Sequence, residues 1–309
     1  MNNQKPHYSF IIPVYNESGN VKKLHGEIIK AGKKLKKPFE IIFVNDGSTD
    51  DTLKILKTLS PVKILVLQTN SGQSAALDAG IKNAQGKILI TMDGDGQNNP
   101  ADIPKMVQKL NGFDVVCGWR QKRKDSFSKR LISKGAKFFR SFLVADKVHD
   151  AGCTLRVYKK ACFAHIDLYG ERHRMIPALL AWSGFRITEV RVSHRARANG
   201  VTKYDSKRIL KGFLDMLDIW FWRKYQARPL HLFGGAGLFL MGGSFLFGVY
   251  LGIRRVFFGY GLGDKIWPLL VTTGFAAGIQ LLIFGLLANL IIRNKPKKDF
   301  YYIEEIIEK

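Results

Sequence analysis

The chain has 309 residues, a formal net charge of +24 and 46% hydrophobic residues. That length suits one domain of roughly 200 residues plus something smaller, and the apolar share is enough to bury a full core. So large a positive excess points to an anionic partner: nucleic acid, an anionic membrane face or phosphorylated ligands. Three cysteines, Cys117, Cys153 and Cys162, form no CxxC pair. An odd, unpaired set excludes a disulfide framework or a zinc site and reads as reduced thiols in the cytosol. Residues 1–7 are polar and lead into a strand-like run, so no signal peptide is expected.

The first half alternates short apolar runs with longer mixed ones. Residues 8–14, 39–45, 62–67, 87–92 and 113–117 are short and rich in Ile, Val and Phe, which predicts buried strands. Residues 18–36, 49–58, 71–84 and 100–110 have helical patterning between them. Strand–helix alternation predicts an α/β fold, a mostly parallel sheet covered on both faces. Ligands bind such sheets beyond the carboxyl ends of the strands. Polar clusters follow three predicted strands: Tyr15-Asn16-Glu17, Asp46-Gly47-Ser48 and Asp93-Gly94-Asp95.

From residue 120 to 140 the chain is heavily basic, with Phe127, Leu131, Phe138 and Phe142 interleaved. That pattern suits an amphipathic helix lying on a membrane surface. Residues 207–224 repeat it, and Trp220, Trp222 and Tyr225 are interfacial aromatics. Residues 229–253 and 267–292 contain no Asp, Glu, Lys or Arg. Each is long enough to cross a hydrocarbon core of roughly 30 Å. Gly234, Gly235, Gly237, Gly242 and Gly243 suit close helix contact and permit self-association without demanding it. Arg223, Lys224 and Arg228 precede the first span, and Arg293, Lys295, Lys297 and Lys298 follow the second. The loop between has only Arg254, Arg255 and Lys265, so the large domain and both termini are expected in the cytoplasm. The expected organisation is a catalytic domain over 1–205, an interfacial linker over 206–228 and a two-helix transmembrane hairpin with a short tail over 229–309.

Two carboxylates one residue apart at a strand end, Asp93 and Asp95, can share Mg²⁺ or Mn²⁺ through oxygen ligands. Asp46 can accept hydrogen bonds from a base or ribose, while Ser48 or Thr49 can cap the next helix.

The blocks Pro13-Val14-Tyr15-Asn16-Glu17, Asn45-Asp46-Gly47-Ser48-Thr49-Asp50, Asn70-Ser71-Gly72 and Asp93-Gly94-Asp95-Gly96-Gln97 resemble those of the family-2 glycosyltransferases. Arg130-Leu131-Ile132-Ser133-Lys134, Gly170-Glu171-Arg172-His173-Arg174 and Arg197-Ala198-Asn199-Gly200-Val201-Thr202-Lys203 extend the likeness to the dolichol-phosphate mannosyltransferase and polyprenyl-phosphate glycosyltransferase group, over roughly residues 8–225. Many relatives read Asp-Ala-Asp or Asp-Cys-Asp where this chain has Asp93-Gly94-Asp95. The resemblance implies a GT-A fold. It assigns the nucleoside to Pro13, Tyr15, Glu17 and Asp46, and Mg²⁺ or Mn²⁺ with the donor diphosphate to Asp93, Asp95 and Gln97. Arg197 and Lys203 would close over the diphosphate, with Gly200 bending the loop. Arg120, Arg130 and Ser133 would take the acceptor phosphate. Cys153-Thr154-Leu155-Arg156 departs from the group's commoner small-Gly-Phe-Arg. Arg156 is therefore either functional or a structural ion pair, with Asp150 a candidate partner.

The implied reaction moves a sugar from a nucleotide-sugar donor to a polyprenyl phosphate, undecaprenyl or dolichyl, with inversion. The lipid phosphate, with a second pKa near about 6, is already largely ionised at neutral pH and needs no strong general base. His173 is accordingly read as acceptor-facing or structural. Alternatives are a polysaccharide or lipid-hydroxyl glycosyltransferase and a non-catalytic membrane scaffold. A nucleic-acid partner is not expected, because the chain has two spans and no base-reading motif.

Overall fold

A computed structural model describes residues 5–120, 148–164, 168, 172–195, 221, 224–225, 228–263, 265–293 and 303–308. Arg130, Ser133, Arg197, Gly200 and Lys203 lie outside them, as does most of both basic stretches. The chain divides into one unit of residues 1–210 with 299–309, and a second of residues 211–298.

The first unit is built on a sheet of β1 (Tyr8–Val14), β2 (Phe39–Asn45), β3 (Lys63–Leu67), β4 (Ile88–Thr91), β5 (Val115–Trp119), β6 (Arg156–Lys159), β7 (Ile187–Arg191) and β8 (Ile303–Glu308), in the order β7-β5-β6-β4-β1-β2-β3-β8. The strands β4, β1, β2 and β3 pair in parallel with one another. Their sequences are nearly continuous apolar runs because both faces are covered. Phe10, Ile12, Ile41 and Phe43 enter one core cluster, while Ile11, Ile42 and Val44 enter the other. That is the period-2 alternation of a pleated strand. Helices α1 (Val21–Lys34), α2 (Thr52–Leu56), α3 (Gln73–Asn83), α4 (Ile103–Lys109) and α5 (Ile176–Trp182) pack around the sheet. β6 is antiparallel to both β4 and β5, which makes the sheet mixed on that side.

Sequence patterning does not predict β6, β7 or β8. β8 lies beyond the apolar hairpin, in the stretch expected as a tail. It pairs antiparallel with β3, from Lys63 opposite Glu308 to Leu67 opposite Ile303. Lys63 Nζ sits 2.7 Å from Glu308 Oε1, and Lys57 Nζ lies 3.5 Å from Glu305 Oε2. Ile307 packs against the core cluster. The strand thereby covers an edge whose backbone groups would otherwise be open to another chain.

The second unit contains α6 (Pro229–Phe258) and α7 (Trp267–Arg293). Both are long and apolar enough to cross a membrane, and only 11% of each apolar stretch is buried. Apolar surface so long and so exposed is what a lipid environment accepts, and this is an integral membrane protein. A Cβ on Gly237 would stand 2.6 Å from Gly278 O, so the two backbones approach closely there. Gly235, Gly242 and Gly243, also expected in close contact, have nothing within 4 Å.

Deleting residues 299–309 uncovers β3. We expect the Tm of the full chain in detergent to fall by about 5 °C or more, with aggregates rising on size exclusion. An unchanged melting curve would remove β8 from the fold's supports.

Candidate active site

β4, β1 and β2 are adjacent and parallel, so the three polar clusters that follow them share one edge of the sheet. Asp46 N–H donates to Val14 O at 2.9 Å, which continues the β1–β2 ladder by one residue. The Asp46 carboxylate then turns to the loop after β3. Oδ1 accepts from Ser71 N–H at 2.7 Å and Oδ2 from Gly72 N–H at 3.0 Å. Asp46 is 4% exposed, and burial raises its pKa against the pull of those two donors. Sequence reasoning gives this carboxylate a base or ribose to hold. The structure adds a second role, because both oxygens fasten the start of α3.

Asn16 adopts a left-handed φ of 56°. Its Oδ1 accepts from Thr49 N–H at 2.8 Å, and its own N–H donates to Ser48 Oγ at 3.0 Å. Ser48 and Thr49 therefore brace the first loop and do not cap α2, at whose start Asp50 Oδ1 accepts from Thr52 N–H at 2.9 Å. Glu17 N–H donates to Thr52 Oγ1 at 2.9 Å, and Glu17 Oε2 accepts from Asn20 Nδ2 at 2.6 Å. Tyr15 is 41% exposed at this rim, available to stack on a base, whereas Pro13 is buried. Pro13 lines a small enclosed pocket with Gln73, Asp93, Thr154, Arg156 and Tyr158, so it floors the site.

Asp93 and Asp95 follow β4. Gln73 Nε2 donates to Asp93 Oδ1 at 2.6 Å, and Gln97 N–H donates to Asp95 Oδ1 at 3.0 Å. Burial pushes the Asp93 carboxyl up to about 6; the Asp95 charge adds to this, while the Thr154 hydroxyl, the Gln73 amide and the Arg120 charge oppose it. A carboxylate as desolvated as Asp93 is costly when ionised beside a second one, and a divalent cation between the two would relieve that cost. Among the described residues no three His, Cys, Asp or Glu side chains converge on a metal position. The donor set still fits Mg²⁺ or Mn²⁺, which are often held by one or two carboxylates with waters and substrate phosphates.

Arg120, expected at the acceptor phosphate, is engaged elsewhere. Its Nε donates to Asp150 Oδ2 at 2.7 Å and its Nη2 to Asp150 Oδ1 at 2.9 Å. Asp150 therefore partners Arg120, and the ion pair considered between Asp150 and Arg156 gives way to a different arrangement. Arg156 is 2% exposed and donates to three carbonyls: Cys153 O at 2.8 Å, Ala151 O at 2.6 Å and His173 O at 3.0 Å. Those bonds set the shape of the 150–156 loop and dock it on His173. His173 Nδ1 lies 2.9 Å from Ser74 Oγ in buried surroundings, which is the structural role. Sequence reasoning missed Gln73 and Thr154. The signal for Gln73 was its position directly after Asn70-Ser71-Gly72; Thr154 carried none.

Asp46→Asn leaves one acceptor oxygen for two half-buried donors. We expect a loss of about 1–3 kcal/mol, read as a lower Tm, with weaker nucleotide binding alongside. At Gly94 an added Cβ would stand 2.5 Å from Val14 Cγ1 and 3.2 Å from Pro13 O. Gly94→Ala should cost about 1–3 kcal/mol by overpacking. The double variant Gly94→Ala/Val14→Ala should lose less than the sum of the two singles. Strict additivity in chemical denaturation would refute that contact.

Comparisons with known proteins agree with this geometry. The model described as Glycosyl transferase family 2 matches residues 9–167. A dodecaprenyl-phosphate galacturonate synthase from Rhizobium johnstonii is 36% identical over 313 residues, covering 97% of this chain and 93% of that protein. An undecaprenyl-phosphate 4-deoxy-4-formamido-L-arabinose transferase from Pseudomonas aeruginosa is 32% identical over 314 residues, covering 97% of this chain and 90% of its own. Among solved structures, glucosyl-3-phosphoglycerate synthase from Mycobacterium tuberculosis, in complex with Mn²⁺, UDP and glucosyl-3-phosphoglycerate, superposes with a TM-score of 0.55 at 16% identity, covering 71% of this chain and 80% of that one. At that identity the likeness is one of fold. With carboxylates paired at the carboxyl edge of a parallel sheet, a family match across half its length and relatives spanning nearly all of it, this chain belongs to glycosyl transferase family 2 and is a glycosyltransferase.

Proposed function

We propose that the chain transfers a sugar from a UDP- or GDP-sugar to a membrane polyprenyl phosphate, with inversion and with Mg²⁺ or Mn²⁺. The observation that carries this reading is the Asp93/Asp95 pair at the sheet's carboxyl edge in a protein that also has two membrane-length helices. The two relatives above, both named for polyprenyl-phosphate substrates, support the acceptor class.

Tyr15 and Glu17 line the nucleoside end, with Asp46 holding the loop beside it. Asp93, Asp95 and Gln97 face the donor diphosphate. The cation, when bound, supplies Lewis-acid stabilisation of the departing diphosphate. Arg197 and Lys203, with Gly200 between them in the sequence, add positive charge to the same oxygens. Arg130 and Ser133 take the lipid phosphate, and Arg120 contributes its charge from the Asp150 pair. An oxygen of the lipid phosphate attacks the anomeric carbon. A new carbon–oxygen bond forms as the bond to the nucleoside diphosphate breaks, and the nucleoside diphosphate leaves as an anion. No side chain has to remove a proton, because the nucleophile is already ionised.

The positive flanks of the spans support a cytoplasmic catalytic domain and cytoplasmic termini. Pairing of β8 with β3 supports an even number of crossings, because the chain leaves this unit before α6 and rejoins it after α7.

The test uses the full chain in detergent with Mn²⁺, a short polyprenyl phosphate and separate donors: UDP-glucose, UDP-galacturonic acid, UDP-N-acetylglucosamine and GDP-mannose. Mass spectrometry should find one glycosylated lipid phosphate. Asp95→Ala should lower kcat about 100-fold or more, equivalent to several kcal/mol of charge stabilisation. Full activity in Asp95→Ala, or in the presence of excess EDTA, would overturn the metal-dependent reading.

A further inference from the structure

A group of side chains outside the expected motifs converges on Asp95 from a distance. Asp95 Oδ1 accepts from Gln97 N–H at 3.0 Å, and Gln97 O accepts in turn from Arg195 N–H at 2.9 Å. The Arg195 guanidinium is clamped on two sides. Its Nη1 donates to both oxygens of Glu27, at 2.9 and 2.7 Å, and its Nη2 donates to Asn99 Oδ1 at 2.7 Å. Asn98 and His194 form an antiparallel bridge between the same two segments. Ser193 closes the far end, donating from N at 2.7 Å and from Oγ at 2.5 Å to Asp102 Oδ2. Residues 97–102 and 193–195 are thus zipped together, and Glu27 ties the zipper to α1. That helix is a fixed reference, since Val21, Leu24 and Ile28 lie in the core.

The local chain explains why such bracing matters. Gly96, between Asp95 and Gln97, has φ +73, and an added Cβ there would meet only Asn20 Oδ1, at 4.0 Å. A glycine in the left-handed region with open space around it is a soft joint. The direction of the Asp95 carboxylate is then set by where the Gln97 amide is held. An arginine suits this role, because its rigid fork of donors keeps its geometry where a lysine would pivot.

We propose that Arg195, held by Glu27 and Asn99, is a positioning residue that aims the Asp95 carboxylate at the cation through the Gln97 backbone. This rests on the metal-dependent reading of Asp93 and Asp95. Arg195 touches neither sugar nor phosphate in this role; it acts through the peptide it holds.

The experiment measures Mn²⁺ binding to the full chain in detergent by electron paramagnetic resonance, alone and with UDP, next to the Tm. Arg195→Gln should raise the Mn²⁺ Kd about tenfold, the scale on which outer partners of metal ligands act, and should change the bound Mn²⁺ line shape. Glu27→Gln should shift both readouts in the same direction by less, and it carries the test if Arg195→Gln does not fold. Arg195→Lys should recover only part of the affinity. A lower Tm with Mn²⁺ affinity and line shape unchanged in the folded variants would overturn the proposal and leave the clamp purely structural. If the wild-type chain binds no Mn²⁺ even with UDP, the metal reading of Asp93 and Asp95 fails first, and the positioning role fails with it.

Discussion

The Asp46 carboxylate is the contact from which the site is assembled. It is buried at the exit of β2, and its two oxygens accept the N–H groups of Ser71 and Gly72. Those residues lead into α3, whose first residue, Gln73, donates to Asp93. One charged group at a strand end therefore sets where the next helix begins, and the helix's first side chain reaches the Asp93 carboxylate two strands away in the sheet. A charged acceptor held by backbone donors is stronger and more directional than a neutral one. That strength offsets part of the cost of burying it, which the upward shift of its pKa records.

The Asp93 and Asp95 carboxylates are held by different means. Asp93 sits against the 150–156 loop, which Arg156 shapes through three carbonyls, and beside Thr154, which also accepts from Asn98 Nδ2 at 3.0 Å. Asp95 hangs from the Gln97 amide beyond a flexible glycine. Arg156 illustrates the rule that a buried charge needs partners of some kind. Here the partners are carbonyl dipoles, which leaves Asp150 for Arg120.

The membrane hairpin lies between β7 and β8 in the chain, so the first unit is not continuous in sequence. A truncation before α6 would remove an edge strand together with the anchor, and its loss of activity would have two causes. Lys57 and Lys63 facing Glu305 and Glu308 also show that part of the chain's basic excess is neutralised internally. Pairs this exposed add little stability; the backbone ladder and Ile307 carry more of the attachment.

The sequence by itself determined what depends on short-range pattern. β1 and β2 coincide with their apolar runs, and the three polar clusters sit at the strand ends where expected, because a strand buried on both faces has to be apolar and has to end where polarity begins. The membrane helices were equally legible from length alone, although α6 runs on through Arg254 and Arg255 to Phe258. β6, β7 and β8 were not legible: each is four to six residues of mixed polarity, and pairing with a distant strand decides its state. Partner choice was hidden for the same reason. Arg120 and Asp150 are 30 residues apart, Ser74 and His173 99, and Glu27 and Arg195 168. A sequence shows which side chains carry charge and donors; which charge meets which donor is settled only when the sheet brings remote loops to one edge.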